Sequence, residues 1–118
     1  MDEHFEPAER LFRSIKPQSA FISESGELSS AAFKDAKGAS VDRQGDRSIQ
    51  ESADFLRKKK PGMIVYVKVA DCTACNALVV YCPEADDIWH SQIQKNEEEL
   101  KLTRHQLRAL ASAAVRVD

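Results

Sequence analysis

The sequence lacks an apolar stretch long enough to cross a lipid bilayer, since its longest apolar run, from Ala77 to Cys82, is far too short. Its acidic start also lacks the cationic and apolar segments of a secretory signal. The three cysteines are an odd number, which fits reduced thiols better than a disulfide framework. These absences predict a cytoplasmic protein that does not insert into membranes.

An excess of positive charge is absent as well. The chain has 17 basic and 19 acidic residues, for a net charge of −2, and the two signs are mixed along the sequence. A general nucleic-acid binder carries a strongly basic face, so nucleic acid is disfavoured as a partner. The basic run from Arg57 to Lys60 fits the last turn of a helix, where cations interact well with the helix dipole.

The sequence also has no phosphate loop, dinucleotide fingerprint, Gly-x-Ser-x-Gly elbow or Ser-x-x-Lys motif. No pair of carboxylates is spaced distinctively enough to indicate glycosidase or metal chemistry. The sequence therefore identifies no reaction, and whether the protein is an enzyme stays open.

The residues that are present favour one small domain over residues 1–118. A chain of 118 residues with 42% hydrophobic residues can bury a core without help from disulfides or metals. We expect an α+β fold, with a small mixed sheet of three to five strands and two or more packed helices.

Two segments have helix signals. Ser48 and Glu51 form a capping-box pattern, and apolar residues then recur at helical spacing until Pro61-Gly62, which predicts a helix over 48–60. Thr103 and Gln106 form a second such pattern, within a helix predicted over 100–114.

Three segments have strand signals. The alternating pattern over 63–70 predicts a strand, and the apolar run over 77–82 predicts a central strand buried on both sides. Residues 115–117 add a short terminal strand. The segment 9–16 is ambiguous, and a helical turn followed by a strand is slightly favoured. Residues 17–47 are polar and rich in turn residues, and we expect a long ordered loop there.

Cys72 and Cys75 have the spacing used in redox and metal sites. Zinc needs four ligands, and the obvious further candidates are Cys82 and His90. If residues 76–82 are extended, Cys82 lies roughly 23 Å from Cys75, which is too far for both to bind one ion. We therefore favour thiols packed as small hydrophobic residues and predict no cofactor. A zinc-stabilised module through Cys72 and Cys75 is the weaker alternative.

Arg13, Ser40, Arg43 and His90 are the candidate ligand-binding residues. Arginines among short hydroxyl side chains can hold phosphate or carboxylate through charge-assisted hydrogen bonds. The leading hypothesis is a binding or accessory module for an anionic small molecule or a protein partner, and a homo-oligomer stays open. The alternative is a small enzyme on a nucleotide-like substrate, with His90 as acid or base beside Arg13 and Ser40.

Three phrases together resemble a group of small uncharacterised bacterial proteins. They are Arg10-Leu11-Phe12-Arg13-x-Ile15-x-Pro17, Ser29-Ser30-x-Ala32-Phe33 and Ser40-Val41-Asp42-Arg43. The segment from Pro83 through His90 to Ile93 is also similar to a histidine-centred segment of that group. This resemblance implies a bacterial origin and carries no function.

The chain is also similar, over fewer features, to ADP-ribosyltransferase-like folds. In those folds an early arginine or histidine and a later serine-bearing strand hold a nicotinamide dinucleotide. The resemblance implies such roles for Arg13 and Ser40. The third, catalytic position of those enzymes has no matching glutamate in this sequence, where His90-Ser91-Gln92 stands instead.

Overall fold

The computed structural model describes residues 2–18 and 20–117. It is an α+β structure built on one six-stranded sheet, so the predicted fold class is confirmed and the predicted three to five strands are too few. Every strand pairing is antiparallel, which also corrects the mixed sheet. The strands are β1 (Arg10–Ile15), β2 (Ala39–Arg43), β3 (Met63–Lys68), β4 (Leu78–Tyr81), β5 (His90–Gln94) and β6 (Val115–Val117), in the spatial order β4-β5-β2-β1-β3-β6.

Helices cover both faces of the sheet. Over the described residues they are α1 (Ile49–Lys59), α2 (Val69–Ala74), α3 (Arg104–Ala113) and a short 3-10 helix (Ser30–Phe33). Successive strand residues point to opposite faces, so Val65 and Val67 join the larger core with α2 and α3, whereas Ile64 joins a smaller core under α1. No helix in these ranges is long and apolar enough to cross a bilayer.

Both capping boxes predicted from the sequence are present. The amide of Glu51 donates to Ser48 Oγ at 3.0 Å, and the Glu51 carboxylate accepts from the Ser48 amide at 3.0 Å. Thr103 and Gln106 make the equivalent pair of bonds at the start of α3. Because the cap fixes the first residue, α3 begins after Thr103 rather than at Leu100.

Several strand boundaries differ from the prediction. Residues 10–15 are strand throughout, because each of the six pairs with β3. The strand predicted over 63–70 ends at Lys68, where α2 begins. The run predicted over 77–82 forms β4 at an edge of the sheet, with its side chains only half-buried, rather than a central strand.

The segment 17–47 is less loop-like than predicted, because it contains the 3-10 helix and β2. β2 pairs with β1 through only two residue pairs, Leu11 with Arg43 and Phe12 with Asp42. On its other side β2 pairs with β5 from Ala39 to Asp42. The first half of β2 therefore diverges from β1, and a gap opens between the two strands beside Arg13.

Candidate functional site

A cavity of about 580 Å³ lies at this gap and is the candidate site. Its walls are the diverging parts of β1 and β2, the 3-10 helix with the residues that follow it, and the C-terminal end of α1. Asp87 and His90 close a further side. Three of the four predicted ligand-binding residues, Arg13, Ser40 and His90, line this cavity, and Arg43 does not.

Arg13 spans the gap and is held by two backbone carbonyls. Its Nε donates to the carbonyl of Ala32 at 2.9 Å, and its Nη1 donates to the carbonyl of Ser40 at 2.9 Å. The guanidinium also lies over the Phe33 ring, 5.6 Å from the centroid. Within the part of the chain that the structure describes, Nη2 has no acceptor, so both of its N–H groups stay available on a fixed guanidinium.

Lysines surround the same cavity. Lys16, Lys34 and Lys60 line it and are exposed, and we call these three side chains the cationic rim. None of the three has an ion-pair partner among residues 2–18 and 20–117. Burial lowers the pKa of Arg13, and the negative charge of Asp35 opposes that lowering. Positive charge therefore exceeds negative charge on this side of the cavity.

A buried pair of carboxyl groups, Asp42 and Asp87, lies at another side of the cavity, and we call it the carboxyl pair. The two residues are 2% and 1% exposed. Asp87 Oδ2 accepts from Lys59 Nζ at 3.1 Å, and Asp87 Oδ1 accepts from the Trp89 amide at 3.0 Å. These bonds keep Asp87 ionised.

Asp42 has the opposite environment. Desolvation, together with the neighbouring Asp87 carboxylate, raises the pKa of Asp42 to about 8. The pKa of Asp87 is held below its usual range, against desolvation, by its bonds to Asp42, Lys59 and Trp89. The two environments therefore favour a protonated Asp42 beside an ionised Asp87, so that the pair shares a proton.

His90 lines the cavity from β5, and its imidazole contacts Cys82 and Glu84. Nδ1 lies 3.0 Å from the Cys82 carbonyl and 3.3 Å from Cys82 Sγ. Nε2 lies 3.8 Å from Glu84 Oε1. His90 and Cys82, the two further zinc ligands considered from the sequence, therefore contact each other. Cys72 and Cys75 take no part in this contact.

Arg43 lies on the other face of β2, where it serves the fold. Its side chain is 4% exposed and forms a bidentate pair with Glu9, with both N···O distances between 2.8 and 2.9 Å. It also donates to backbone carbonyls of the N-terminal segment and lies 4.0 Å from the Phe5 centroid. These contacts leave Arg43 no role in the cavity.

Cys72 and Cys75 lie in the larger apolar core, in and directly after α2. Desolvation raises the pKa of Cys72 to about 12, which opposes the thiolate form that zinc requires. No group of three or more potential metal ligands occurs within the described ranges. The zinc-stabilised module stays a prediction, and the buried, protonated state favoured for Cys72 argues against it.

The carboxyl pair was not predicted from the sequence. Asp42 looked like a turn residue, because β2 was taken as part of a loop, and Asp87 looked like one of several acidic loop residues. The signal was present in Ser40-Val41-Asp42, whose alternation places Asp42 on the opposite face from a core valine. Pairing two carboxyl groups that are distant in sequence requires the tertiary fold.

Comparison with protein-family models, with curated proteins and with solved structures found no match. The resemblances to small bacterial proteins and to ADP-ribosyltransferase-like folds therefore stay predictions.

Proposed function

We propose that this protein is a binding module whose cavity takes a small ligand with a phosphate or carboxylate group. The observation that carries the proposal is the cationic rim around an anchored arginine with a spare donor. A cavity of about 580 Å³ falls in the range typical of small-molecule sites, which favours a small anion over a protein partner.

The arginine supports specific recognition because its position is fixed before a ligand arrives. Two carbonyl acceptors and the Phe33 ring hold the guanidinium, so little side-chain entropy remains to be lost on binding. The exposed lysines add long-range attraction, which raises the local concentration of anions and weakens as salt increases.

A titration with propyl phosphate tests the proposal. A variant with Lys16, Lys34 and Lys60 all changed to Gln removes the cationic rim. The matched control changes Lys37, Lys58 and Lys101 to Gln, since these lysines are exposed and lie outside the cavity lining. We expect millimolar binding that weakens at least fivefold in the rim variant and less than twofold in the control. Equal affinity in all three proteins excludes the cavity as the anion site.

A second candidate function, a small enzyme, is supported by the carboxyl pair. Two carboxyl groups whose pKa values are driven apart by their surroundings are the usual form of an acid–base pair. In this version Asp42 is the acid, and His90 and Arg13 bind substrate. Hydrolysis of p-nitrophenyl phosphate that Asp42→Asn abolishes and Asp86→Asn preserves would establish it, and undetectable turnover by the wild type would exclude it for this substrate.

We further propose that the protein acts in the bacterial cytoplasm. Cys72, Cys75 and Cys82 are all free thiols, which supports a reducing compartment.

A further inference from the structure

β4 forms one edge of the sheet, and its outer side has no strand beside it. Among the described residues only β5 pairs with it, residue for residue over Leu78–Tyr81. The amide of Cys82 donates to the carbonyl of His90 at 3.1 Å, which sets the alternation of hydrogen bonds along this ladder. By that alternation Val79 and Tyr81 direct their amides and carbonyls away from β5, where no described group bonds to them.

The sequence of this edge contains none of the residues that usually keep an exposed strand from pairing with another chain. Charged residues and proline within the strand are the common forms of that protection. β4 reads Leu-Val-Val-Tyr and is uncharged over its whole length. The opposite edge, β6, is three residues long and carries Arg116. β4 is therefore the edge of this sheet that is suited to accept a further strand.

Leu78 and Val80 place an apolar strip beside the same edge. Side chains alternate along a strand, so Val79 packs on the larger core while Leu78 and Val80 point to the other face. Both are half-buried, and neither is among the described members of the larger core or of the smaller core under α1. An apolar partner that covers them removes this surface from water, which is favourable.

We propose that β4 pairs with β4 of a second copy of the chain, in an antiparallel arrangement with a two-fold axis at Val80. In this register Val80 faces Val80 of the second copy. Val79 faces Tyr81 of the second copy, and Tyr81 faces its Val79. Each of these two outer pairs exchanges two N–H···O hydrogen bonds, because their amides and carbonyls point toward the neighbouring strand.

A second copy fits this edge because the register is self-complementary. A two-fold axis requires that the same contacts occur in both directions. The strip then meets its own counterpart, with Val80 on Val80 and Leu78 on Cys82 of the second copy, so no like charges lie opposite each other. Four strand residues per copy bury less than a standard interface of about 1,600 Å², so the dimer should dissociate on dilution.

The dimer does not depend on the proposed anion site. The residues that line the cavity lie outside β4, so the cavity stays open when the edges pair. Loss of anion binding in the lysine variants and loss of dimerisation are therefore separate results.

Sedimentation equilibrium of the wild type, from about 10 μM to about 1 mM, tests the dimer over the range expected for a small interface. Val80→Lys places two like charges opposite each other at the axis and should weaken dimerisation at least tenfold. The matched control is Val115→Lys on the β6 edge, where the residue is 46% exposed, and it should change dimerisation less than twofold. A wild type that stays monomeric overturns the proposal and leaves the β4 edge to a strand of another protein. Equal weakening in both variants also overturns it.

A disulfide cross-link tests the register and decides even if the lysine variant does not fold. Directly opposed residues of this type have Cα atoms about 4.5 Å apart, within the range that a disulfide spans. Val80→Cys, in a chain that also carries Cys82→Ser, should therefore form covalent dimers on mild oxidation and keep the far-UV spectrum of the wild type. Val115→Cys in the same background should form few. Similar yields from the two variants, or no dimer from Val80→Cys, contradict pairing at Val80.

Discussion

Arg13 Nη1 donates to the carbonyl oxygen of Ser40, 2.9 Å away, at the place where β1 and β2 no longer pair. A side chain thus takes the place of a ladder hydrogen bond between the strands. The exchange leaves the strands close enough to share one sheet and far enough apart to border a cavity. The same residue therefore maintains the fold and offers a donor to a ligand.

Replacing Arg13 with Ala should destabilise the protein. The change removes two charge-assisted hydrogen bonds and the contact with Phe33, and it leaves the Ala32 and Ser40 carbonyls without those donors. We expect a loss of about 2 to 4 kcal/mol in the free energy of unfolding, measured by urea denaturation. Lys34→Ala is the control, because Lys34 is an exposed cation of the same cavity. It should change the free energy of unfolding by less than about 0.5 kcal/mol. Similar losses in both variants would contradict the anchoring role.

Asp42→Asn should stabilise the protein, and increasingly so as pH rises. The raised pKa means that native Asp42 holds its proton more tightly than the unfolded chain, whose Asp side chain titrates near 3.8. Between pH 4 and pH 8 the unfolded state therefore binds fewer protons, and this group lowers the stability of the wild type as pH increases. With these pKa values, the stability difference between variant and wild type should grow on the order of 3 to 4 kcal/mol from pH 5 to pH 8, and then level off.

Asp87→Asn should destabilise the protein at pH 7, whereas Asp42→Asn should stabilise it. The carboxylate of Asp87 accepts from Lys59 and from the Trp89 amide, and its pKa is lowered, so its ionised form stabilises the native state. Urea unfolding should show a loss of about 1 to 3 kcal/mol. If both Asp→Asn changes destabilise the protein equally at every pH, the two carboxyl groups do not share a proton as described.

Cys82 should be the first thiol to react with a disulfide reagent such as DTNB. Cys72 is completely buried and Cys75 is 5% exposed, whereas Cys82 is half-buried at the sheet edge. One fast phase is therefore expected in the native protein, with the other two thiols reacting only on unfolding. Cys82→Ser removes the fast phase, and Cys75→Ser keeps it.

Chelator treatment of the same protein examines the zinc alternative. Thiols that pack as hydrophobic residues predict an unchanged melting temperature after incubation with EDTA. A large decrease in melting temperature, together with fast reaction of all three thiols after chelation, would instead support a zinc-stabilised module.

Gly38→Ala should be more damaging than Gly26→Ala, although both glycines have left-handed backbone, with φ of +87° and +85°. A Cβ at Gly38 would lie 2.9 Å from the Ile93 carbonyl oxygen, whereas a Cβ at Gly26 meets nothing within 4 Å. We expect Gly26→Ala to cost about 1 kcal/mol from backbone strain alone, and Gly38→Ala about 2 to 4 kcal/mol. Equal losses in urea denaturation would show that β2 can move away from β5 without cost.

The sequence predicted the elements that local rules control. The Ser48–Glu51 and Thr103–Gln106 caps involve neighbouring residues, so both helix starts could be found. The edge position of β4 depends on which strand pairs with β5, and strand order leaves no local trace. β2 and β5 were missed because polar residues such as Ser40, Asp42 and His90 occupy one of their faces, where they line the cavity and not an apolar core.

Some residues of the candidate site could likewise be predicted from the sequence, and others required the tertiary structure. Arg13, Ser40 and His90 were found because charged and hydroxyl residues stood out, and the fold brings them to one cavity. Arg43 stood out equally, but its contacts with Glu9 and Phe5 are tertiary and gave no warning in the sequence. Asp87 joins Asp42 only through the loop before β5, so the carboxyl pair required the structure.

The most direct measurement of the central claim is a ¹H–¹⁵N spectrum of the protein titrated with propyl phosphate. The account predicts that the largest shift changes fall on amides around the cavity, at residues 12–16, 31–35 and 40–42 and at the end of α1. Small changes are expected around α2 and β6, which lie outside the cavity lining. Changes centred on those elements, or spread evenly over all exposed lysines, would contradict an anion site between β1 and β2.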